Sequence, residues 1–183
     1  MRLLAASALF LVACATEAPI PIYGEVPPFQ LTSQAGEPLG RNDLEGSIWV
    51  ADFIFTHCTG PCPRMSSRMK QVQAATNGLN GVRLVSFSVD PENDTPDALA
   101  AYAKRYGAAS GRWTFLTGPK ETLNQLSMDT FMLGKVDGQQ MDHSTRFVLV
   151  DSRGRVRKYY TTTEGFHIPD LVRDVKLLLK ETS

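Results

Sequence analysis

Two cysteines, Cys58 and Cys62, are separated by Thr59, Gly60 and Pro61 and followed at once by Pro63. Thiols at such spacing do two kinds of chemistry: as thiolates they bind soft metals, and they attack disulfides. Pro63 suits the first turn of a helix, and each proline steers the residue before it away from helical torsions, so the stretch 58–62 is expected to be a tight loop. Both sulfurs then lie near a helix N-terminus, whose positive end favours thiolate. A pair of soft thiolates suits Cu(I) or zinc and is a poor host for magnesium or calcium. The same loop can close into a disulfide, although so short a cross-link adds little stability.

The chain has three histidines, His57, His143 and His167. His143 sits in the run Met141, Asp142, His143, Ser144, Thr145, just before the apolar stretch 147–150. That places it on a loop at a strand end, where a histidine is a surface or capping residue or a ligand. His57 either tunes the cysteine site from beside it or faces solvent, and His167 reads as local structure before the last helix. Asp52 lies six residues before Cys58 in an apolar run. A buried carboxyl without a partner has a raised pKa and can carry a proton during disulfide exchange; the other reading is a strand residue satisfied by local hydrogen bonds. Asp90 closes a strand near the cysteine edge and either hydrogen-bonds to groups around the site or caps the turn after it. Met65 and Met69 recur at helical spacing, as core residues do.

The elements that must position these residues alternate between strand and helix. Residues 29–32 and a turn at Ala35 and Gly36 suggest an N-terminal hairpin. Residues 48–55 form a nearly continuous apolar run, as in a central strand covered on both faces. A helix is expected from about Pro63, with Met65, Met69 and Val72 inward. Strands follow at 82–89, 113–116, 147–150 and 155–161. Helices are expected after Thr95 and Pro96, ending at Gly107, over 120–131, and from about Pro169. This order implies an α/β fold, a central mixed β-sheet flanked by helices. The cysteines fall where the central strand gives way to a helix, the edge at which open α/β sheets bind ligands.

The chain starts with Arg2 and an apolar segment, 3–13, too short to span a bilayer, which takes ~20 residues. It fits an export signal, and Leu11, Val12, Ala13 and Cys14 resemble the lipobox of bacterial lipoproteins. That resemblance implies lipidation of Cys14, a signal peptide over 1–14 and a protein anchored to a membrane without spanning it. The proline-rich stretch 15–27 reads as an extended tether, and 28–183 as the folded domain. An extracytoplasmic location, facing the periplasm or the cell exterior, permits disulfides and leaves Cys58 and Cys62 as the two remaining thiols. With 19 basic and 19 acidic residues the formal net charge is zero, which supplies no field for nucleic acid.

Three blocks resemble the Sco/SenC family, the synthesis-of-cytochrome-oxidase proteins. They are Asp52 to Cys58 with Cys62 and Pro63; Ser88, Val89, Asp90, Pro91, Glu92 with Asp94, Thr95, Pro96; and Asp142 to Thr145 with 147–151. The resemblance implies a thioredoxin-like fold and one copper, as Cu(I) or Cu(II), held by Cys58, Cys62 and His143. It further implies a monomeric metallochaperone, rather than an enzyme, that exchanges copper with donor and acceptor proteins. The implied acceptor is the dinuclear copper (CuA) centre in subunit II of cytochrome c oxidase. The same resemblance leaves a second activity open, thiol–disulfide exchange through Cys58 and Cys62. Thr59, Gly60 and Pro61 depart from the acidic or bulky residue many members carry between the cysteines. A structural zinc site is disfavoured, because three ligands leave a coordination position open. A peroxidase lacks a recognisable peroxide-activating set.

Overall fold

Strand β4 (Ile48–Ile54) is buried at every position, which is what an apolar run in the middle of a sheet requires. The computed structural model describes residues 18–133, 145–163 and 165–182. β4 pairs in parallel with β5 (Val82–Ser88), and β5 in parallel with β6 (Trp113–Thr117). On the other side of β4 lie β7 (Arg146–Val150) and then β8 (Arg155–Thr161), each antiparallel to its neighbour. The hairpin of β2 (Gln30–Ser33) and β3 (Pro38–Gly40) is antiparallel and docks on the free edge of β6. With β1 (Gly24–Glu25) on β8, the order is β1-β8-β7-β4-β5-β6-β2-β3. The expected mixed sheet and the leading hairpin are both present.

Alternation along β4 divides the core. Val50 and Ile54 face helices α1 (Pro61–Ala75), α2 (Pro96–Tyr106) and α4 (Ile168–Thr182), together with Met65, Met69, Leu99 and Val175. Trp49, Ala51 and Phe53 face the opposite layer, where Phe87 stacks on Phe53 with 5.0 Å between ring centres and Phe131 closes edge-on. Helix α2 begins and ends as its sequence signals. The Thr95 hydroxyl accepts from the Ala98 amide, and Gly107 takes the left-handed conformation at φ 68°.

Three expectations change. Helix α1 begins at Pro61, not Pro63, so Cys62 is inside its first turn. The first turn lacks intrahelical partners for its amides, so two prolines cost no hydrogen bond there and the pre-proline preference is outweighed. The helix expected over 120–131 is α3 (Lys120–Asn124) followed by a π-helical turn, Gln125–Thr130. Its wider turn delivers Phe131, whose amide bonds the Leu126 carbonyl, into the aromatic layer. Third, much of the expected tether lies on the domain. Gly24 and Glu25 pair with β8, and Val26 is buried. The Arg157 guanidinium, 4% exposed, bonds the carbonyls of Ile20 and Pro21 and forms ion pairs with Asp151 and Glu181. A buried arginine needs such partners, and the strap supplies two carbonyls. Cys14 lies outside the described residues, and among those described no helix is long and apolar enough to cross a membrane.

Candidate metal centre

The end of β4 and the start of α1 bring the two sulfurs together. The backbone turns at 55–58, with the Cys58 amide bonding the Phe55 carbonyl at 3.3 Å. Cys58 is half-buried and packs on the α1 side of the core, whereas Cys62 is 4% exposed. Both are free thiols, and their side chains hydrogen-bond to each other.

The Cys62 thiol is pushed up, first by burial and then by its hydrogen bond to Cys58; a bond from the Phe55 amide offsets only part of this. At Cys62 desolvation therefore outweighs the helix terminus that the sequence suggested would favour thiolate. The neutral thiol is the resting form of Cys62, and a soft cation bound there must displace a proton. Two adjacent sulfurs, one wrapped in apolar side chains, fit a soft monovalent ion in their donor chemistry.

Asp52 shares the α1 face of β4 with Val50 and Ile54 and is fully buried. One carboxyl oxygen accepts from the Ser86 hydroxyl at 2.5 Å, and Ser86 in turn accepts from the Trp113 indole at 2.9 Å. The other oxygen has no hydrogen-bond partner among the described residues. Burial raises the Asp52 pKa to about 7 against the lowering effect of Ser86, and its charge is felt at Cys62. Of the two sequence readings, a proton-carrying carboxyl and a locally satisfied one, the geometry has half of each.

This shift sets a pH dependence. The folded protein holds a proton on Asp52 up to about pH 7, whereas the unfolded chain releases it near 3.8, the ordinary value for an aspartate. Between these values the native state binds more protons, so this group's contribution makes stability fall as pH rises. Asp52→Asn is expected to match the parent at pH 3 and to exceed it by about 2–4 kcal/mol at pH 8. Thermal unfolding of the reduced, metal-free protein across that range checks this; parallel curves for the two proteins would contradict it.

His57 is exposed, with Nδ1 at 3.2 Å from the Thr56 hydroxyl. Asp90 is half-buried in the turn after β5, where its carboxylate accepts from the Asn93 amide group and its carbonyl from the backbone amides of Asn93 and Asp94. His143 lies outside the described residues, and among those described no cluster of three metal-ligating residues forms.

Sequence reasoning missed Asp94 as an organiser. Its carboxylate is fully buried and accepts from the Thr56 amide at 3.1 Å, the Thr56 hydroxyl at 2.6 Å and the Ser88 hydroxyl at 2.6 Å. It ties the residues just before Cys58 to the end of β5. The only local sign is an aspartate ahead of the Thr95 cap, which the turn already explains.

A mixed sheet with helices on both faces, carrying a dithiol at the β4–α1 junction above a buried aspartate, defines a thioredoxin-like dithiol protein. The SCO1/SenC family profile matches residues 22–180, and the chain belongs to that family. It is 37% identical over 174 residues to the SCO1 protein homolog of Bacillus subtilis, spanning 92% of this chain and 90% of that protein. BsSco, described as a member of the Sco family of cytochrome c oxidase assembly proteins with a disulfide switch, is 36% identical with a TM-score of 0.79, over 87% of this chain and 96% of that one. ScoI of Bradyrhizobium japonicum, solved with copper bound, is 26% identical with a TM-score of 0.68, over 84% and 98%.

Proposed function

We propose that the chain is a copper carrier in the assembly of cytochrome c oxidase, holding one copper between Cys58, Cys62 and His143. The observation that carries this is the pair of adjacent free thiols, one half-exposed and one buried, at the sheet edge of a protein whose relative ScoI binds copper. Copper is the cargo. Cys62 anchors it from the interior, Cys58 stands where a partner can reach, and His143 completes three-coordination, a geometry suited to Cu(I). The acceptor is the CuA centre of oxidase subunit II, and a separate donor loads the site. Lipid on Cys14 holds a monomeric domain on the outer side of a membrane.

Asp52 favours a second activity at the same thiols. The Cys58 thiolate attacks a partner disulfide, forming a mixed disulfide and releasing one partner thiolate, which takes up a proton. Cys62 then passes its proton to Asp52 and attacks the Cys58 sulfur. That breaks the mixed disulfide, closes Cys58–Cys62 and releases the second partner thiolate, which takes up the proton from Asp52. Two electrons pass from this chain to the partner. A base near pKa 7 beside a raised thiol is what the second step needs.

Complementation of cells lacking the protein separates the two. Wild type is expected to restore CuA absorbance in the oxidase, and Cys58→Ser and His143→Ala are expected to fail. Restoration by His143→Ala would overturn copper delivery in favour of thiol exchange.

A further inference from the structure

We infer that His57 is a transit ligand for copper, an outward-facing imidazole through which the ion enters and leaves the Cys58–Cys62 site; this rests on the copper reading above. The hydrogen bonds around Thr56 decide which ring nitrogen is free. The Thr56 hydroxyl has one hydrogen, and at 2.6 Å it donates it to Asp94 Oδ1, which can only accept from it. The same oxygen lies 3.2 Å from His57 Nδ1 and has only lone pairs left to offer. The ring hydrogen therefore sits on Nδ1, and Nε2 keeps its lone pair. A carboxylate acting through a hydroxyl thus does for His57 what a carboxylate does directly for many metal-binding histidines: it fixes the tautomer.

Position supplies the rest. His57 is exposed and adjoins Cys58 in the chain, whereas Cys62 is 4% exposed. An incoming ligand from a partner cannot reach the buried sulfur first. Exchange of a three-coordinate ion passes through a state in which donor and acceptor ligands share it. An exposed, pre-set imidazole next to the outer sulfur can hold the ion while Cys62 lets go. No other role for the Thr56–His57 contact emerges from packing, since an exposed ring needs no internal partner.

The test uses the full chain loaded with Cu(I) and a chromophoric Cu(I) chelator, which reports both the equilibrium affinity and the rate of transfer. His57→Ala removes the imidazole, and Thr56→Val keeps it while removing the hydroxyl. We expect His57→Ala to hold Cu(I) within about twofold of wild-type affinity but to release it about tenfold more slowly, with Thr56→Val in between. Nitrogen-15 NMR of the metal-free protein is expected to show His57 protonated at Nδ1. Equal release rates in wild type and His57→Ala, or a hydrogen on Nε2, overturn this inference alone. Loss of equilibrium affinity in His57→Ala also overturns it, by making His57 a resident ligand. A wild-type chain that takes up no Cu(I) overturns the copper reading and this inference with it.

Discussion

Replacing Cys62 by serine is expected to lower Cu(I) affinity by about three orders of magnitude, equivalent to about 4 kcal/mol. The substitution changes one atom, sulfur to oxygen, at a site that is 4% exposed, so the loss reports ligand chemistry more than packing. A hydroxyl is a hard donor that stays protonated near neutral pH and does not compete for a soft ion. The buried cysteine is the more demanding of the two. Its thiol is held up by desolvation, so copper must displace a firmly held proton there, and the cation then offsets the buried thiolate charge. Cys58→Ser is expected to cost nearly as much, and His143→Ala somewhat less, because an exogenous imidazole or water can enter the third position. Competition titration against a Cu(I) chelator measures all three. Retained affinity in Cys62→Ser would remove that residue from the site.

The second large effect belongs to a residue that touches no metal. Asp94→Ala would strand three donors, the Thr56 amide, the Thr56 hydroxyl and the Ser88 hydroxyl, in a place where the carboxylate is fully buried. Leaving buried groups without partners costs about 1–3 kcal/mol each where water cannot enter, and relaxation keeps the total to about 3–5 kcal/mol. At about 2–4 °C per kcal/mol for a domain of this size, the midpoint should fall by roughly 10 °C. Asp94→Asn should lie in between, since the amide keeps one acceptor and turns a donor toward another. Calorimetry on the reduced, metal-free variants checks this. A midpoint within 2 °C of wild type, roughly the effect of half a kcal/mol, would mean that the Asp94 network contributes little.

What could be read from the sequence was local or periodic. The Thr95 cap, the Gly107 stop and the buried run of β4 are specified by residues within a few positions of one another, and they appear where expected. The strap is the counterexample. Gly24 and Glu25 have no side-chain pattern, and this segment is held by its backbone pairing with β8 and by Arg157, 137 positions from Ile20. The π-helical turn was equally hidden, because its cause is the demand of Trp49, Phe53 and Phe87 for Phe131. At the site, the thiol spacing and Asp52 were visible because both sit on one strand-to-helix junction. Asp94 was not, since its partners Thr56 and Ser88 come together only through the β4–β5 register. His143 came from family resemblance and lies outside the described residues.

The central claim is a copper held by two sulfurs and one imidazole. X-ray absorption at the copper edge of the Cu(I)-loaded full chain reads that ligand set directly. The account predicts a three-coordinate ion with two sulfur scatterers and one nitrogen, with outer-shell imidazole scattering that disappears in His143→Ala. A sulfur-only shell, or imidazole scattering unchanged in that variant, would contradict it.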